Sequence, residues 1–522
     1  MTQNTPITPE DIRRFNSILQ SYKSAKAATD RRIEESERWW RLRNTGEEAR
    51  DYATARGSGH HSASGWLHNV IVNKHAEAVE AYPEPHILPR EENDTNEARM
   101  LSDILPCVLE QNRFEKTWSD VAWQKLKCGT GIYKVVWDSE KLRGLGDIAI
   151  ERVNPLDLYW EPDIGDIHQS RYLFHIKWRG REELCERYPQ RVGCELSSPL
   201  LPLTSVSDRV PVIDLYYKKR AEGREVLHYC RYVGESILFA TENEPDLQTR
   251  GLYDHGRYPY VFDPLFPIEG SPCGYGFVDL CRSPQTELDL LKTAFLQNAM
   301  VGATPRYFSR GEGVSEEEFL DLTRPVVHVN SASEDTLRRI EHDTLGATYL
   351  NLYELTVREL RETSGNTETG SGNVSAGVTA AAAIAALQEA SGKGSRDSCA
   401  AAYRAYAEII DLCIELIRQF YTLPRRFRIT GESGVRFVRY GGEGLRPIPQ
   451  EGENMGYRLP VFDVKVTARR RSSYTAAAQN ELTLDLFRLG FFDPARREEA
   501  LIALDLLDME GKDVLTRRLA EI

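Results

Sequence analysis

The sequence predicts an α+β protein in which a small α/β segment interrupts a pair of long helices. Three observations carry that prediction. Apolar residues recur at helical spacing around Trp66–Ala81, Leu288–Val301, Ala347–Glu362 and Val378–Tyr421. Between Thr130 and Phe266, short β-branched and aromatic runs alternate with Gly, Pro, Asn and Asp. A compact stretch, Tyr307 to Asp343, separates two of the helices and itself has strand character. At 522 residues the chain exceeds what one hydrophobic core covers, so two to four structural units are expected.

Taken in order, the first 45 residues read as helix. Ile7-Thr8-Pro9-Glu10 is a start signal, and Ile12, Phe15, Ile18, Leu19 and Tyr22 follow at helical spacing. Gly57-Ser58-Gly59-His60-His61-Ser62 reads as a loop. A helix over Trp66–Ala81 ends at Pro83, and others cover Asn93–Asn112 and Trp118–Lys127. Gly129-Thr130-Gly131 turns into a strand, Ile132–Trp137, which pairs with Asp147–Val153 as a hairpin. Val212–Lys218, Val226–Val233 and Ile237–Ala240 continue a largely antiparallel sheet.

Gly274-Tyr275-Gly276 opens a helix whose stripe is Leu288, Leu291, Phe295 and Leu296, and Pro305 interrupts it. The island then reads as a strand from Tyr307, a short helix at Ser315–Leu322, a strand Val326–Val329, and Leu337–Ile340. The helix Ala347–Glu362 returns, so an antiparallel helical pair with a cap at its tip is expected. A Gly/Ser/Thr/Asn loop follows, and between Arg361 and Lys393 there is no Lys or Arg. Val378–Tyr421 is a long helix, kinked at Ser391-Gly392-Lys393-Gly394-Ser395, with a stripe of Tyr403, Tyr406, Ala407, Ile410, Ile414, Ile417 and Tyr421. Arg426–Tyr440 and Tyr457–Thr467 are expected as strands that rejoin the earlier sheet. The tail, Tyr474–Ile522, reads as helices broken at Gly490 and Asp493-Pro494.

Composition narrows the function classes. The hydrophobic fraction of 41% and charged fraction of 28% are those of an ordinary globular protein. A net charge of −13 argues against broad adhesion to nucleic acid, which rests on Lys and Arg neutralising phosphates, but leaves open a protein that surrounds DNA. Cys107, Cys128, Cys185, Cys194, Cys230, Cys273, Cys281, Cys399 and Cys413 are scattered, odd in number and without a Cys-x-x-Cys pair, so reduced thiols are expected. Met1–Arg14 lacks a hydrophobic signal core, and the Ala-rich run Val378–Leu387 is too short to cross a bilayer. A soluble intracellular product is expected, without membrane association.

Candidate chemistry is sparse. Gly392-Lys393 has Leu387 where a phosphate loop needs its leading Gly, and Gly394 where it needs Ser or Thr. His60, His61, His68 and His75 are the best metal candidates, against a reading as loop and helix-surface histidines. Asp157, Glu161, Asp163, Asp166 and His168 form a carboxylate cluster of hydrolytic or magnesium-site type, against turn chemistry beside Pro155 and Pro162. Arg469-Arg470-Arg471 is the basic run worth noting, for DNA or subunit contact; Arg425-Arg426 is less specific.

The order of helix, α/β insertion, returning helix, small-residue loop and long kinked helix resembles the tailed-bacteriophage portal (head-to-tail connector) family. Gly274-Tyr275-Gly276-Phe277 with Gln285-Thr286-Glu287-Leu288 is similar to that family's entry to its first stem helix. Gly372–Ala380 followed by Ala383–Glu389 is similar to its tunnel-loop and long-helix segment, and Gly129–Asp138 with Asn154-Pro155 to its wing hairpin. The resemblance covers roughly Trp66–Thr467. It implies N-terminal helices and an α/β wing over 1–272, a first stem helix over 273–302, a clip over 303–344 and a second stem helix over 345–363. A tunnel loop over 364–378, a long kinked helix over 379–422, wing strands over 423–470 and a short helical crown over 471–522 complete it.

The function that the resemblance implies is non-enzymatic and needs no cofactor. It is a ring-forming homo-dodecamer at one capsid vertex, located in the virion and, during assembly, in the host cytoplasm. Double-stranded DNA would pass through its channel during packaging and ejection. Ser364, Gly365, Asn366, Thr367, Glu368, Thr369, Gly370, Ser371, Gly372, Asn373, Val374 and Ser375 would line the narrowest part. The clip, with Arg306, Arg310, Glu312, Glu316, Glu317 and Arg324, would meet the terminase large subunit and later a head-completion or adaptor protein. The major capsid protein and scaffold are further implied partners. The physics agrees: paired helices with a cap cannot bury both faces within one subunit, and head-to-tail contacts that close make a ring. An acidic wall and a cation-free loop keep contact with moving phosphates weak. Two other classes stand beside this: an enzyme acting on nucleic acid or cell wall through the carboxylates near Asp157, and a tail or baseplate component without DNA contact.

Overall fold

The computed structural model describes residues 6–41, 64–189, 209–221, 224–303, 307–309, 337–339, 346–366, 393–431, 434–449, 457–468, 484–490, 501 and 504. The chain divides into two compact units. The larger comprises 1–34, 71–276 and 367–522, and the smaller 35–70 and 277–366.

In chain order the elements begin with α1 (Pro9–Trp40), α2 (Trp66–Glu80), β1 (Pro83–Pro89), α3 (Thr95–Gln111) and α4 (Phe114–Cys128). Strands β2 (Thr130–Asp138), β3 (Asp147–Arg152), β4 (Leu158–Trp160) and β5 (Tyr172–Gly180) follow, then α5 (Arg181–Arg187). After these come β6 (Arg209–Ala221), β7 (Arg224–Val233), β8 (Ser236–Ala240), β9 (Tyr260–Pro264), β10 (Phe266–Pro267) and β11 (Gly274–Tyr275). The second half holds α6 (Phe277–Ala303), β12 (Tyr307–Ser309), β13 (Leu337–Arg339), α7 (Ala347–Ser364) and α8 (Lys393–Phe420). Strands β14 (Arg425–Gly431), β15 (Gly434–Tyr440), β16 (Ile448–Pro449), β17 (Tyr457–Arg458) and β18 (Phe462–Ala468) complete the list. The α+β expectation holds, and every strand pair is antiparallel.

In the larger unit a five-stranded sheet, β4-β5-β6-β7-β8, lies under the first part of α1. Pro9 opens that helix, and Asp11 accepts both the backbone N–H (3.0 Å) and the hydroxyl (2.9 Å) of Thr8, which satisfies one of the unpaired N–H groups at the helix start. Ile12, Phe15, Leu19 and Tyr22 bury themselves against Phe174, Ile213, Leu215, Tyr217 and Tyr232 of the sheet. A three-stranded sheet, β3-β2-β9, is covered by α4 and α8, and α3 packs against both of those helices. The core there joins Leu101, Leu105 and Val108 of α3, Phe114 and Trp118 of α4, Tyr133 of β2, and Tyr406, Ile410 and Ile417 of α8. The buried face of α8 is wider than the stripe in its sequence. Ile409, Leu412, Cys413 and Leu416 are buried too, because β2, β9, β18 and α3 meet the helix from several sides.

Two of the resemblance-bearing segments cross each other in this unit. Gly129, at φ +86°, lies so close to β11 that a Cβ there would sit 2.3 Å from the carbonyl carbon of Tyr275. A Cβ on Gly276 would sit 2.6 Å from the Lys127 carbonyl oxygen, and the Gly274 N–H donates to Thr130 Oγ1 at 2.8 Å. Gly is required here because two backbones touch.

The strands after α8 correct one expectation. Arg426–Tyr440 is a hairpin, β14-β15, closed with Gly431 opposite Gly434, and among the described residues it pairs with no other strand. β18 does not join either larger sheet; it pairs with β1, placing His86 opposite Lys465. That partner, Pro-Glu-Pro-His-Ile-Leu-Pro, was not expected as a strand, since proline is confined to edges; a two-stranded sheet is all edge. In the smaller unit α6 and α7 form the helical pair, and β12 pairs with β13 between them in sequence. The helix at Ser315–Leu322, the strand Val326–Val329, the loop 57–62 and the upstream half of the long helix lie outside the described residues. The break expected at Gly490 is seen: a helix ends there with Gly490 at φ +72°.

Candidate functional site

The helical pair is tied together at the start of α2. Tyr353 of α7 meets Phe295 of α6 edge-on at 6.3 Å, and its hydroxyl accepts from Trp66 Nε1 at 3.4 Å. The Arg361 guanidinium lies 5.2 Å over the Trp66 ring. Nearby, two side chains of α6 supply the cap that α2 lacks in its own sequence. Gln285, 2% exposed, accepts the Leu67 N–H at 3.0 Å and donates to the Ser64 carbonyl at 2.9 Å. Asp289 accepts the Ser64 N–H and hydroxyl, both at 2.7 Å. A carboxylate at a helix N-terminus also meets the positive end of its dipole. Phe295 against Tyr353, and Gln285 near the residue that Arg361 covers, make α6 and α7 run in opposite directions.

The pair buries little of its own apolar surface. On α7, Thr356, Leu360 and Ser364 form the buried row, while Leu352 (46% exposed) and Leu355 (57%) lie on one flank and Leu350 (53%) on the other. On α6, Leu290 (50%), Leu296 (47%) and Met300 (56%) are similarly uncovered. Each such leucine would contribute on the order of 1 kcal/mol if the exposed half were removed from water. Five leucines and Met300 on two adjacent helices are more than scattered surface apolar residues.

The described part of the predicted channel loop is a helix cap. Ser364 is the last residue of α7; it is buried and its hydroxyl donates to the Arg361 carbonyl at 3.2 Å. Gly365 takes φ +64°, its N–H reaching the Glu362 carbonyl at 3.2 Å, and the Asn366 N–H reaches that of Arg361 at 3.0 Å. These paired bonds close the helix end and satisfy carbonyls that would otherwise be orphaned. Thr367, Glu368, Thr369, Gly370, Ser371, Gly372, Asn373, Val374 and Ser375 lie outside the described residues. So do Arg306, Arg310, Glu312, Glu316, Glu317, Arg324, Arg469, Arg470 and Arg471.

The other candidates resolve into structural roles. Asp166 accepts the His168 N–H at 2.9 Å, Glu161 accepts the Arg171 N–H at 3.0 Å, and Asp163 sits at φ +59°. These carboxylates hold turns. Asp157 is half-buried, and burial pushes its carboxyl above the usual range while Lys26 opposes this. His68 stacks on Trp40 at 4.3 Å. His75 stacks on Trp123 at 3.7 Å and bonds the Ser119 hydroxyl at 3.0 Å. His60 and His61 lie outside the described residues. Among the described residues no three His, Cys, Asp or Glu converge as a metal site. The eight described cysteines are free.

A buried charge network between the two larger sheets has no local signal in the sequence. Asp214 of β6, 1% exposed, accepts from Arg231 Nε and Tyr229 OH, both at 2.7 Å, with Lys134 Nζ at 3.7 Å. Burial alone would raise its carboxyl, but the Arg231 and Lys134 charges and these hydrogen bonds hold it well below the usual carboxylate range. Lys134 lies 5.3 Å over the Tyr260 ring, and His175 bonds the Tyr260 hydroxyl at 2.9 Å. Burial, with help from the Lys134 charge, lowers His175 to about 2, so the ring is neutral. Strand alternation marks these residues as inward or outward, but nothing local marks them as partners.

Two antiparallel sheets, a helical pair inserted between parts of the chain and a long helix packed on the second sheet make a mixed α+β protein, and the family comparison gives its class as phage portal. The chain belongs to the Phage P22-like portal protein family, whose model matches residues 77–522. Comparison with curated proteins gave no match. The family is structural rather than enzymatic. Among the described residues no helix is long and apolar enough to cross a membrane.

Proposed function

We propose that this portal protein is the subunit of a closed homo-oligomeric ring, dodecameric, at one capsid vertex. Double-stranded DNA passes through its bore during packaging and ejection. In this reading α6 and α7 are the stem, 303–344 is the clip that receives the terminase large subunit and then a head-completion or adaptor protein, and 364–378 is the tunnel loop. Ser364 then anchors that loop, and the residues after the Gly365 cap face the bore. The major capsid protein and scaffold meet the ring from outside, placing it in the virion.

The observation that carries the proposal is the uncovered apolar surface of the helical pair. Leu350 and the Leu352–Leu355 row lie on opposite flanks of α7, and a subunit in a ring has a neighbour on each side. Leu352→Asp combined with Leu355→Asp tests it. The purified wild-type chain is expected as rings by negative-stain microscopy and mass photometry, and the double variant as a folded, smaller species. A well-folded wild-type monomer at high concentration, or rings unaffected by the two aspartates, overturns the reading.

A further inference from the structure

The β14-β15 hairpin, expected from the sequence as a single strand over Arg426–Tyr440, presents a distinct outer face. Alternation along the strands turns Phe427 and Tyr440 inward, where both are buried. The inner side is firmly attached. Tyr440 OH donates to Glu97 at 2.8 Å, Arg436 pairs with Asp103, and Phe427 stacks on Tyr421 at 6.4 Å. Arg425, at the hairpin's base, pairs with Asp147 at 3.2 Å and lies 4.0 Å over the Tyr421 ring.

The opposite face carries Arg426 directly across from Arg439, and Arg428 directly across from Phe437. All four side chains are exposed, Phe437 by 72%. No ion pair to Arg426, Arg428 or Arg439 occurs among the described residues, although Arg425 and Arg436 on the inner side have one each. Like charges directly opposite in a ladder are destabilising. Folding gains nothing from this arrangement, and in a chain of net charge −13 it is locally anomalous.

We propose that the outer face of the β14-β15 hairpin binds duplex DNA through its phosphates, without sequence preference. Same-face arginines recur about every 6.7 Å along a strand and about 5 Å across it, a rigid lattice of cations suited to a continuous row of anions. Contacts to phosphates carry no sequence information, and Phe437 offers an apolar surface to the sugars between them. The proposal goes beyond the portal reading and does not depend on ring closure or on the channel loop.

The test is fluorescence anisotropy of the purified full chain with a labelled mixed-sequence duplex of about 30 base pairs, titrated with salt. The triple variant Arg426→Gln, Arg428→Gln, Arg439→Gln is compared with wild type, and mass photometry follows the same samples. Three phosphate contacts at a slope of about 0.9 each should flatten the salt dependence by about 2.7. Between about 50 and 200 mM salt, the variant should therefore lose about 40-fold less affinity than wild type. Single Gln variants should each remove about 0.9, which keeps the test decisive if the triple variant folds poorly. Equal slopes, or no binding by wild type at low salt, overturn the proposal. So does a variant whose DNA binding is unchanged while its oligomeric state falls, because the face would then belong to a neighbouring copy. Loss of DNA binding with the assembly state unaltered supports it, whether or not that state is a ring.

Discussion

Gln285 offers the sharpest test of how the smaller unit is held. Gln285→Ala removes the acceptor of the Leu67 N–H and the donor to the Ser64 carbonyl, groups on residues 2% and 8% exposed. Ser64 keeps its two bonds to Asp289, so only those two backbone groups are left without partners. Each orphaned buried group costs about 1–3 kcal/mol, and the vacated volume adds to it, so a loss of about 3 kcal/mol is expected. Two-state unfolding is not assured for a two-unit chain, so amide exchange is the better readout. Exchange at the first hydrogen-bonded amides of α2, Asn69 onward, should accelerate by about 100-fold. Gln285→Glu adds a further check. At neutral pH the introduced carboxylate cannot donate to the Ser64 carbonyl and lies beside Asp289, so it should be worse than alanine. Burial and that like charge raise its folded pKa above the unfolded value of about 4.3. The folded state therefore binds the proton more tightly, and protection should recover as pH falls through the folded value. Less than about a threefold change in exchange for Gln285→Ala, with the fold intact, would refute the capping argument.

Further outcomes follow from contacts in the larger unit and in α6. Gly276→Ala forces a methyl to 2.6 Å from the Lys127 carbonyl and should lower stability by at least about 2 kcal/mol. Gly302→Ala, in α6 with nothing within 4 Å, should be neutral or stabilising by up to about 1 kcal/mol, and thermal melts compare the two. Asp214→Asn leaves Lys134 and Arg231 facing a buried neutral group, at a cost of about 3–5 kcal/mol by chemical denaturation. Because the Asp214 carboxyl is depressed in the folded state, its contribution is present above the unfolded pKa of about 3.9 and lost as pH falls below it. The acid limb of the stability curve should accordingly flatten in the variant.

Much of the fold was legible because helices and hairpins are local. Helical spacing located α2, α3, α6 and α7 to within a few residues, and Thr8-Pro9 located the start of α1. Ser364-Gly365-Asn366 read as the start of a channel loop, whereas the structure makes it the cap of α7, its bonds running to Glu362 and Arg361 a few positions back. The α8 stripe was legible in direction but not in width, since its extra burial comes from strands far away in sequence. The exposed leucines of α6 and α7 were legible only as apolar residues on two helices, since which of them are covered depends on the packing of the pair.

The amino-acid order by itself determined the α+β class, the inserted segment between two helices and the family to which the chain belongs. Each of these depends on periodicity and on residues a few positions apart. Only the tertiary structure decided that β18 pairs with β1, that Gln285 caps a helix starting more than 200 positions earlier, and that Asp214 is held by Lys134 and Arg231. It also decided that Arg426, Arg428 and Arg439 share one open face of β14-β15. These pairings carry no period, because which distant groups satisfy one another depends on where the whole chain places them.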